Sequence, residues 1–466
     1  MIFKIAFRSI FRNTRRSLMT ISTVTVGTVA ALVFGSYVVY ILLGLQTGTV
    51  RGGGHLTVYR KGYFLYGAGN PAAYGIEGYD ALLKLIREDP VIAPRLAVAT
   101  PVQAIAGIAG NFANDTSKPF FGTGFVPSDR DQMRQWDVYK FGTPKEGLGL
   151  SDADLSRGVI GIGLGRILGF CEVLKIQDCP PPPVIQRQGS ARPPAKAPEF
   201  LADLAQRDRP KGAAASGNAE PRIDLLAATV GGAPNIVTLS IAKTAAQGIK
   251  EVDDSYVGMN LKLAQQLLYG RGVPKVTGIV LQLHRTEDTG FVRQRLVFLF
   301  GEHHLDLEVR DFEELNPYFV QVTAFMSSIL LFIAVIIGIV VLFTVTNTVG
   351  MSVAERTAEI GTTRAMGLRR RGIRWQFLAE GWLLGLIGTT AGVLLAAAIV
   401  FTVNHSGLMW LPPGQAQPTP LRMDLFTRKA LVVATWLGLM AVATVSAYWP
   451  ANRAAKLPIV DALRHV

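Results

Sequence analysis

Residues 321–347 read QVTAFMSSILLFIAVIIGIVVLFTVTN, a run without a single Asp, Glu, Lys or Arg. A helix needs about 20 mostly apolar residues to cross the hydrocarbon core of a bilayer. Three further stretches meet that requirement: 17–45, 376–403 and 430–449. Only 376–403 carries an acid, Glu380, near its start, where a packing or hinge role with nearby Arg374 is expected rather than a proton relay, and its Gly381, Gly385, Gly388 and Gly392 let neighbouring helices approach closely. The first run has a basic flank, but it is too long for a signal peptide and shows no small-x-small cleavage site, so it reads as an uncleaved anchor. The expected fold class is therefore a membrane α-helical protein with four transmembrane helices.

Charge sets the expected orientation, because Lys and Arg collect on cytoplasmic segments. Of the net charge of +13, 11 units sit in three short segments: 1–16, 348–375 and 450–466. The region 46–320 holds 30 basic and 29 acidic residues, and the short loop 404–429 three basic and one acidic. The first three segments are thus expected in the cytoplasm with both termini, and 46–320 and 404–429 outside. The high net charge is a topology signal. A basic nucleic-acid binder would carry its charge on the folded domain, so no nucleic-acid partner is expected. At 1–16, Phe3, Phe7, Ile10 and Phe11 alternate with Lys4, Arg8 and Arg12 as in an amphipathic surface helix, resting on membrane lipids or gripping a partner.

The region 46–320 is long enough for a core of its own. Leu56–Tyr59, Ile236–Ile241 and Val276–Leu283 read as strands, and Tyr79–Arg87, Leu261–Leu268 and Thr289–Phe300 as helices, which predicts an α+β domain. Prolines Pro180–Pro183, Pro193, Pro194, Pro198 and Pro210 mark 180–222 as an insertion or linker. The chain has two cysteines, Cys171 and Cys179. An extracytoplasmic location permits a disulfide and the adjoining prolines argue against its geometry, so bridge and free thiols both stay open. Gly161, Gly163 and Gly165 lack the G-x-G-x-x-G order of a phosphate cradle and read as structural glycines of a strand-to-helix turn. Glu302, His303 and His304 lack metal-ligand spacing, and no nucleophile with an assigned base is found, so neither a metal site nor a catalytic residue is expected.

The strongest functional signal lies between the second and third runs. Glu355, Arg356, Thr357, Ala358, Glu359, Ile360, Gly361, Thr362, Thr363, Arg364, Ala365, Met366 and Gly367 place acids before bases, as a helix dipole favours. Glu355 and Glu359 share a face, and Ile360, Thr363, Met366 and Gly367 offer a small knob at the far end. A solvated loop explains the arginines but not the acids or the short helix they imply.

This run resembles the coupling segment of FtsX/MacB/LolE-type permeases of ATP-binding cassette transporters, approximately E-R-x-x-E-I-G-x-x-R-A-x-G. Glu355, Arg356, Glu359, Ile360, Gly361, Arg364, Ala365 and Gly367 match it, with Met366 between the last two. The C-terminal run Pro450, Arg453, Ala454, Ala455, Pro458, Ala462, Leu463 and Arg464 is similar to the family's ending, and the span order matches too. The resemblance implies a non-catalytic permease subunit of the bacterial inner membrane. Its coupling loop would meet a separate cytoplasmic ATPase that binds ATP and Mg, and would pass that motion to a periplasmic domain. It implies a second permease copy or homologue, a periplasmic adaptor or cargo protein, and cargo such as lipoprotein, lipid, peptide or drug. A non-transporting regulator pulling on an outer partner, such as a cell-wall hydrolase, fits the same motifs. No Gly-Lys pair occurs in the sequence, so there is no phosphate loop, and no cofactor is expected on this chain.

Overall fold

The computed structural model describes residues 7–8, 12, 14–67, 73–112, 114–142, 146–176, 179, 220–410, 419–425 and 427–458. The proline run 180–219 lies outside them, as do Phe3, Lys4, Ile10 and Phe11 and the final residues from 459 on.

The helices used below are α1 (Thr14–Gly53), α2 (Tyr79–Glu88), α3 (Ile162–Ile167), α4 (Leu261–Tyr269), α5 (Thr289–Glu302), α6 (Pro317–Glu355), α7 (Thr357–Ala365), α8 (Arg370–His405), α9 (Lys429–Ser446) and α10 (Tyr448–Lys456). Among the described residues four rods, namely α1, α6, α8 and α9 continued by α10, are long and apolar enough to cross a membrane. They overrun the apolar runs that announce them. The 40 residues of α1 and 39 of α6 give rods about 60 Å long, twice the ~30 Å hydrocarbon core. Helical hydrogen bonding does not stop where lipid stops, so 348–355 continues α6 rather than opening a loop.

Glycines decide which rods touch. A Cβ on Gly381 or Gly385 would stand 2.5 Å and 2.8 Å from the Cβ atoms of Ala447 and Ala443, where α8 meets the end of α9. On Gly388 and Gly392 it would stand 2.7 Å and 2.5 Å from the Cβ atoms of Val24 and Thr28 of α1. One glycine row thus serves two partners in succession, and α8 lies between them. The outer sides of α6 leave Phe325, Leu331, Phe332 and Phe343 more than 60% exposed, as a lipid-facing surface requires.

Among the described residues between α1 and α6 lie nine strands: β1 (Leu56–Arg60), β2 (Leu96–Asn111), β3 (Thr116–Phe125), β4 (Arg157–Ile160), β5 (Arg222–Ala228), β6 (Pro234–Thr244), β7 (Tyr256–Asn260), β8 (Gly278–Leu283) and β9 (Leu307–Asp311). Their order is β3-β7-β4-β6-β5-β2-β8-β1-β9, with a further β2–β3 pairing. That pairing closes six strands into a ring, β2-β3-β7-β4-β6-β5. Alternate residues fill it: Ile105 and Ala109 of β2, Ile223, Leu225 and Ala227 of β5, Val237, Leu239 and Ile241 of β6. The 16-residue β2 also pairs β8 through its first half. There the sheet β2-β8-β1-β9 is covered by α2 and α5 through Leu82, Ile86, Val292 and Leu296. All six expected elements of this α+β domain are present, with ends shifted by at most three residues.

The Gly161–Gly165 segment forms the expected turn from β4 into α3. Asp253 already occupies the amide groups a phosphate would need, its carboxylate accepting from Gly163 N at 2.6 Å and Ile162 N at 3.2 Å. Cβ atoms on Gly161 and Gly163 would strike the Asp253 carbonyl and the Asp254 carboxylate. Cys171 and Cys179 are joined by a disulfide, with Cα atoms 6.1 Å apart. His303 and His304 are exposed, and no group of metal-ligating side chains occurs among the described residues.

Rods and sheet meet at one junction. Helix α1 leads through Gly54 into β1, and β9, paired antiparallel to β1, leads back into α6. The Gln282 side chain donates to Val50 O, Arg51 Nε to Trp136 O, and Asn316 Nδ2 to Thr49 Oγ1. At the centre His55 is fully buried, its Nδ1 accepting from Leu283 N at 2.9 Å and its ring edge-on to Trp136. Burial pushes its imidazole down to about 4. Between pH ~6.5 and ~4 the unfolded chain takes up a proton that the folded chain refuses. Stability is therefore full above the unfolded value and falls by about 3 kcal/mol as pH drops through that window. The melting temperature of the purified full chain should decline from pH 7 to 4.5, and His55→Gln should flatten part of that decline. An unchanged slope would remove His55 from the account.

Candidate functional site

The end of the bundle away from the β-domain is built around one bend. Helix α6 ends at Glu355, and Arg356 leaves helical geometry at φ −107°, ψ 17°. Its N–H donates to Val353 O while its carbonyl accepts from Ile360 N, so it closes one helix and opens the next. The nine-residue α7 ends at Ala365 and is capped by Met366, and the next residue, Gly367, has a φ of +98°, in the left-handed region that favours glycine. Leu368 and Arg369 then lead into α8.

The candidate residues fall into two sets. Ile360 and Gly361 point inward. Ile360 is 7% exposed and packs with Val349, Val353, Ile373, Phe377 and Ala451. It cannot serve as part of an exposed knob, because an isoleucine at this helix position is taken up by the core that seats α7. Arg356 is also internal, 6% exposed, with Nη1 3.9 Å from Glu380 Oε1 on α8. Glu380 therefore faces Arg356 and not Arg374, the nearby base its sequence position suggests. Residues six apart on one helix point to different sides of it.

Glu355 and Glu359 are held by the first segment of the chain: Glu355 by Arg16, and Glu359 by Arg12 at 2.6 Å. Arg364 donates to Leu457 O, just past α10. Thr20 and Thr348 add a hydroxyl contact at 2.6 Å between α1 and α6. These contacts thus tie the bend and α7 to the N-terminal segment, to α8 and to the C-terminal segment at once. Exposed ion pairs such as Arg12–Glu359 contribute little each, about 0–1 kcal/mol, so the buried Ile360 and Arg356 carry the seating. The second set remains outside: Thr362, Ala365, Met366, Gly367 and Leu368, followed by Arg369, Arg370 and Arg371. Met366 is 76% exposed. The surface on offer is an exposed, partly apolar tip with a basic rim.

Sequence reasoning placed Arg12 on an amphipathic segment that rests on lipid or grips a partner and left Arg16 unnamed, and it matched neither arginine to the acids. The available signal was charge balance: two acids face a chain end that is otherwise all basic.

Residues 329–459 match the FtsX-like permease C-terminal family model. The relatives include the macrolide export ATP-binding/permease protein MacB of Syntrophobacter fumaroxidans, 34% identical over 160 residues, covering 34% of this chain and 20% of that protein. MacB of a Shewanella strain is 30% identical over 227 residues, covering 46% and 33%. The lipoprotein-releasing system transmembrane protein LolC of Xylella fastidiosa is 26% identical over 247 residues, covering 51% and 57%. The chain thus spans between a fifth and three-fifths of the length of these relatives. The periplasmic region of MacB from Actinobacillus actinomycetemcomitans aligns over 58% of this chain and 94% of its own, at 11% identity and a TM-score of 0.29, too loose a likeness to bear on the fold. Bend, α7, α8, α9 and α10 all lie inside the matched segment, so residues 329–459 form an FtsX-like permease C-terminal domain, and MacB and LolC are homologues of the chain that carries it.

Proposed function

We propose that this chain is the permease subunit of an ATP-binding cassette system, and that the exposed tip of α7 docks on a separate cytoplasmic ATPase. The observation that carries this is the mounting of α7, a short helix fixed between two long rods by buried groups while its apolar tip faces outward. A docking helix has to be stiff, or a push on it is lost in local bending. In this reading the basic end of the bundle is cytoplasmic and the β-domain periplasmic. ATP and Mg bind the partner, whose closure displaces α7. Helix α6 carries the displacement to β9 and, through the β1–β9 pairing, into the β-domain. A second permease copy or a homologue completes the assembly, and an adaptor or cargo protein meets the β-domain. Ile360, Gly361 and Arg356 act by positioning α7, Glu355, Glu359 and Arg364 by tying it down, and Ala365, Met366 and Gly367 by contact.

Met366→Glu tests the contact. Loss of a central apolar anchor in an interface costs about 2 kcal/mol or more, so the variant should bind its ATPase at least tenfold more weakly at an unchanged melting temperature. ATPase recovered on the affinity-tagged permease reads this directly. Equal recovery with parent and variant would place docking elsewhere.

A further inference from the structure

A groove of about 680 Å³ runs between the end of α6 and α10, lined by Asn347, Met351, Val353, Trp449, Arg453 and Leu457 among others. We propose that it binds one anionic phospholipid of the leaflet at the basic end of the bundle. The inference goes beyond ATPase docking and needs only that the four rods cross a bilayer.

Depth is the first argument. The uncharged stretch of α6 stops at Glu355 and that of the last rod at Arg453, both within the span of residues that line the groove, so the groove lies where hydrocarbon gives way to headgroups. Tryptophan collects at that level because its ring is apolar and its N–H is not. Trp449 is 79% exposed and Met351 49%, both beside the groove, where an acyl chain would cover them.

Charge is the second. No acidic side chain lines the groove. Arg453 is exposed and forms no ion pair among the described residues. Glu355 and Glu359, which neighbour Ala354 and Thr357 of the groove in sequence, are taken by Arg16 and Arg12. The Thr346 hydroxyl donates to Ser446 O and the Thr357 hydroxyl to Ala354 O, so both serve the protein's own backbone. Arg453 and Asn347 are left to meet a phosphate. Basic pockets between helices at a membrane surface hold anionic headgroups in this way. A second copy of the chain is the poorer occupant, since it would bring another strongly basic end against this one.

The test uses the purified full chain with dioleoylphosphatidylglycerol and dioleoylphosphatidylcholine offered in equal amounts, and counts retained lipid by native mass spectrometry. Retention should favour phosphatidylglycerol roughly fivefold, one lipid per chain, as a single cation near the surface would give. Arg453→Gln should abolish the preference and Trp449→Ala should weaken retention of both lipids. Glycerol phosphate without acyl chains should not bind. Equal retention of the two lipids, a preference that survives Arg453→Gln, or binding of glycerol phosphate as tight as of the lipid would each overturn the proposal.

Discussion

Glu380→Gln should lower the stability of the full chain by about 3–5 kcal/mol, because it leaves the Arg356 guanidinium buried without a counter-charge. At 3.9 Å the two groups are beyond hydrogen-bond reach and attract as charges. With an effective dielectric near 20, that attraction is about 4 kcal/mol, the same size as the expected loss. The desolvation of both groups offsets it in the native chain, so the pair adds little net stability while it is intact. Removing both charges should therefore be far milder than removing one. Arg356→Met with Glu380→Leu should recover most of the stability lost in Glu380→Gln. Thermal unfolding in one detergent gives all three values. A single variant as stable as the parent would show that the two charges are solvated after all. Arg356 also forms the bend between α6 and α7, so the stable double variant isolates its second task. If the ion pair fixes the angle of α7, the double variant should fold and still show weakened ATPase stimulation.

The second large effect concerns the packing of α8. Gly392→Leu should separate α8 from α1, because a Cβ at 392 already lies 2.5 Å from the Thr28 Cβ and 3.0 Å from Thr25 O. A leucine adds three further carbons where the first does not fit. Overpacking of a tight contact costs about 1–3 kcal/mol, and here the strain falls on a helix pair that lipid can invade once it opens. The expected result is a melting temperature several degrees below the parent. Gly438→Leu is the control, since a Cβ there meets nothing within 4 Å. It should melt with the parent. Equal behaviour of the two leucine variants would mean that the α1–α8 approach is not what holds the bundle.

Much of this architecture was legible in the sequence because its signals are local. Uncharged runs announce membrane helices whatever they pack against. The alternation through Ile236–Ile241 announces a strand, and the glycines at 161, 163 and 165 a turn. Where the readings fell short, the missing information was long-range. Ile360 looked like part of an exposed knob because its neighbours are polar, and only the packing of Val349, Val353 and Phe377 around it shows an inward side chain. Glu380 looked like a partner for Arg374, and the bend that brings Arg356 to it is set by tertiary packing. The closure of six strands into a ring depends on the β2–β3 pairing and a strand order that no periodicity encodes. Of the residues expected to couple, Met366 and Gly367 lie on the surface, while Arg356, Ile360 and Gly361 lie beneath it.

On the proposed function, the tip of α7 is the face that meets a nucleotide-binding subunit. A photo-crosslinking amino acid placed at Met366 in the full chain, in cells that contain the intact system, measures this most directly, with Phe121 on the exposed side of β3 as the comparison site. The account predicts an adduct between position 366 and an ATP-binding protein, and no such adduct from position 121. Adducts from 366 only to lipid or to other membrane chains, with an ATP-binding protein captured from 121, would contradict it.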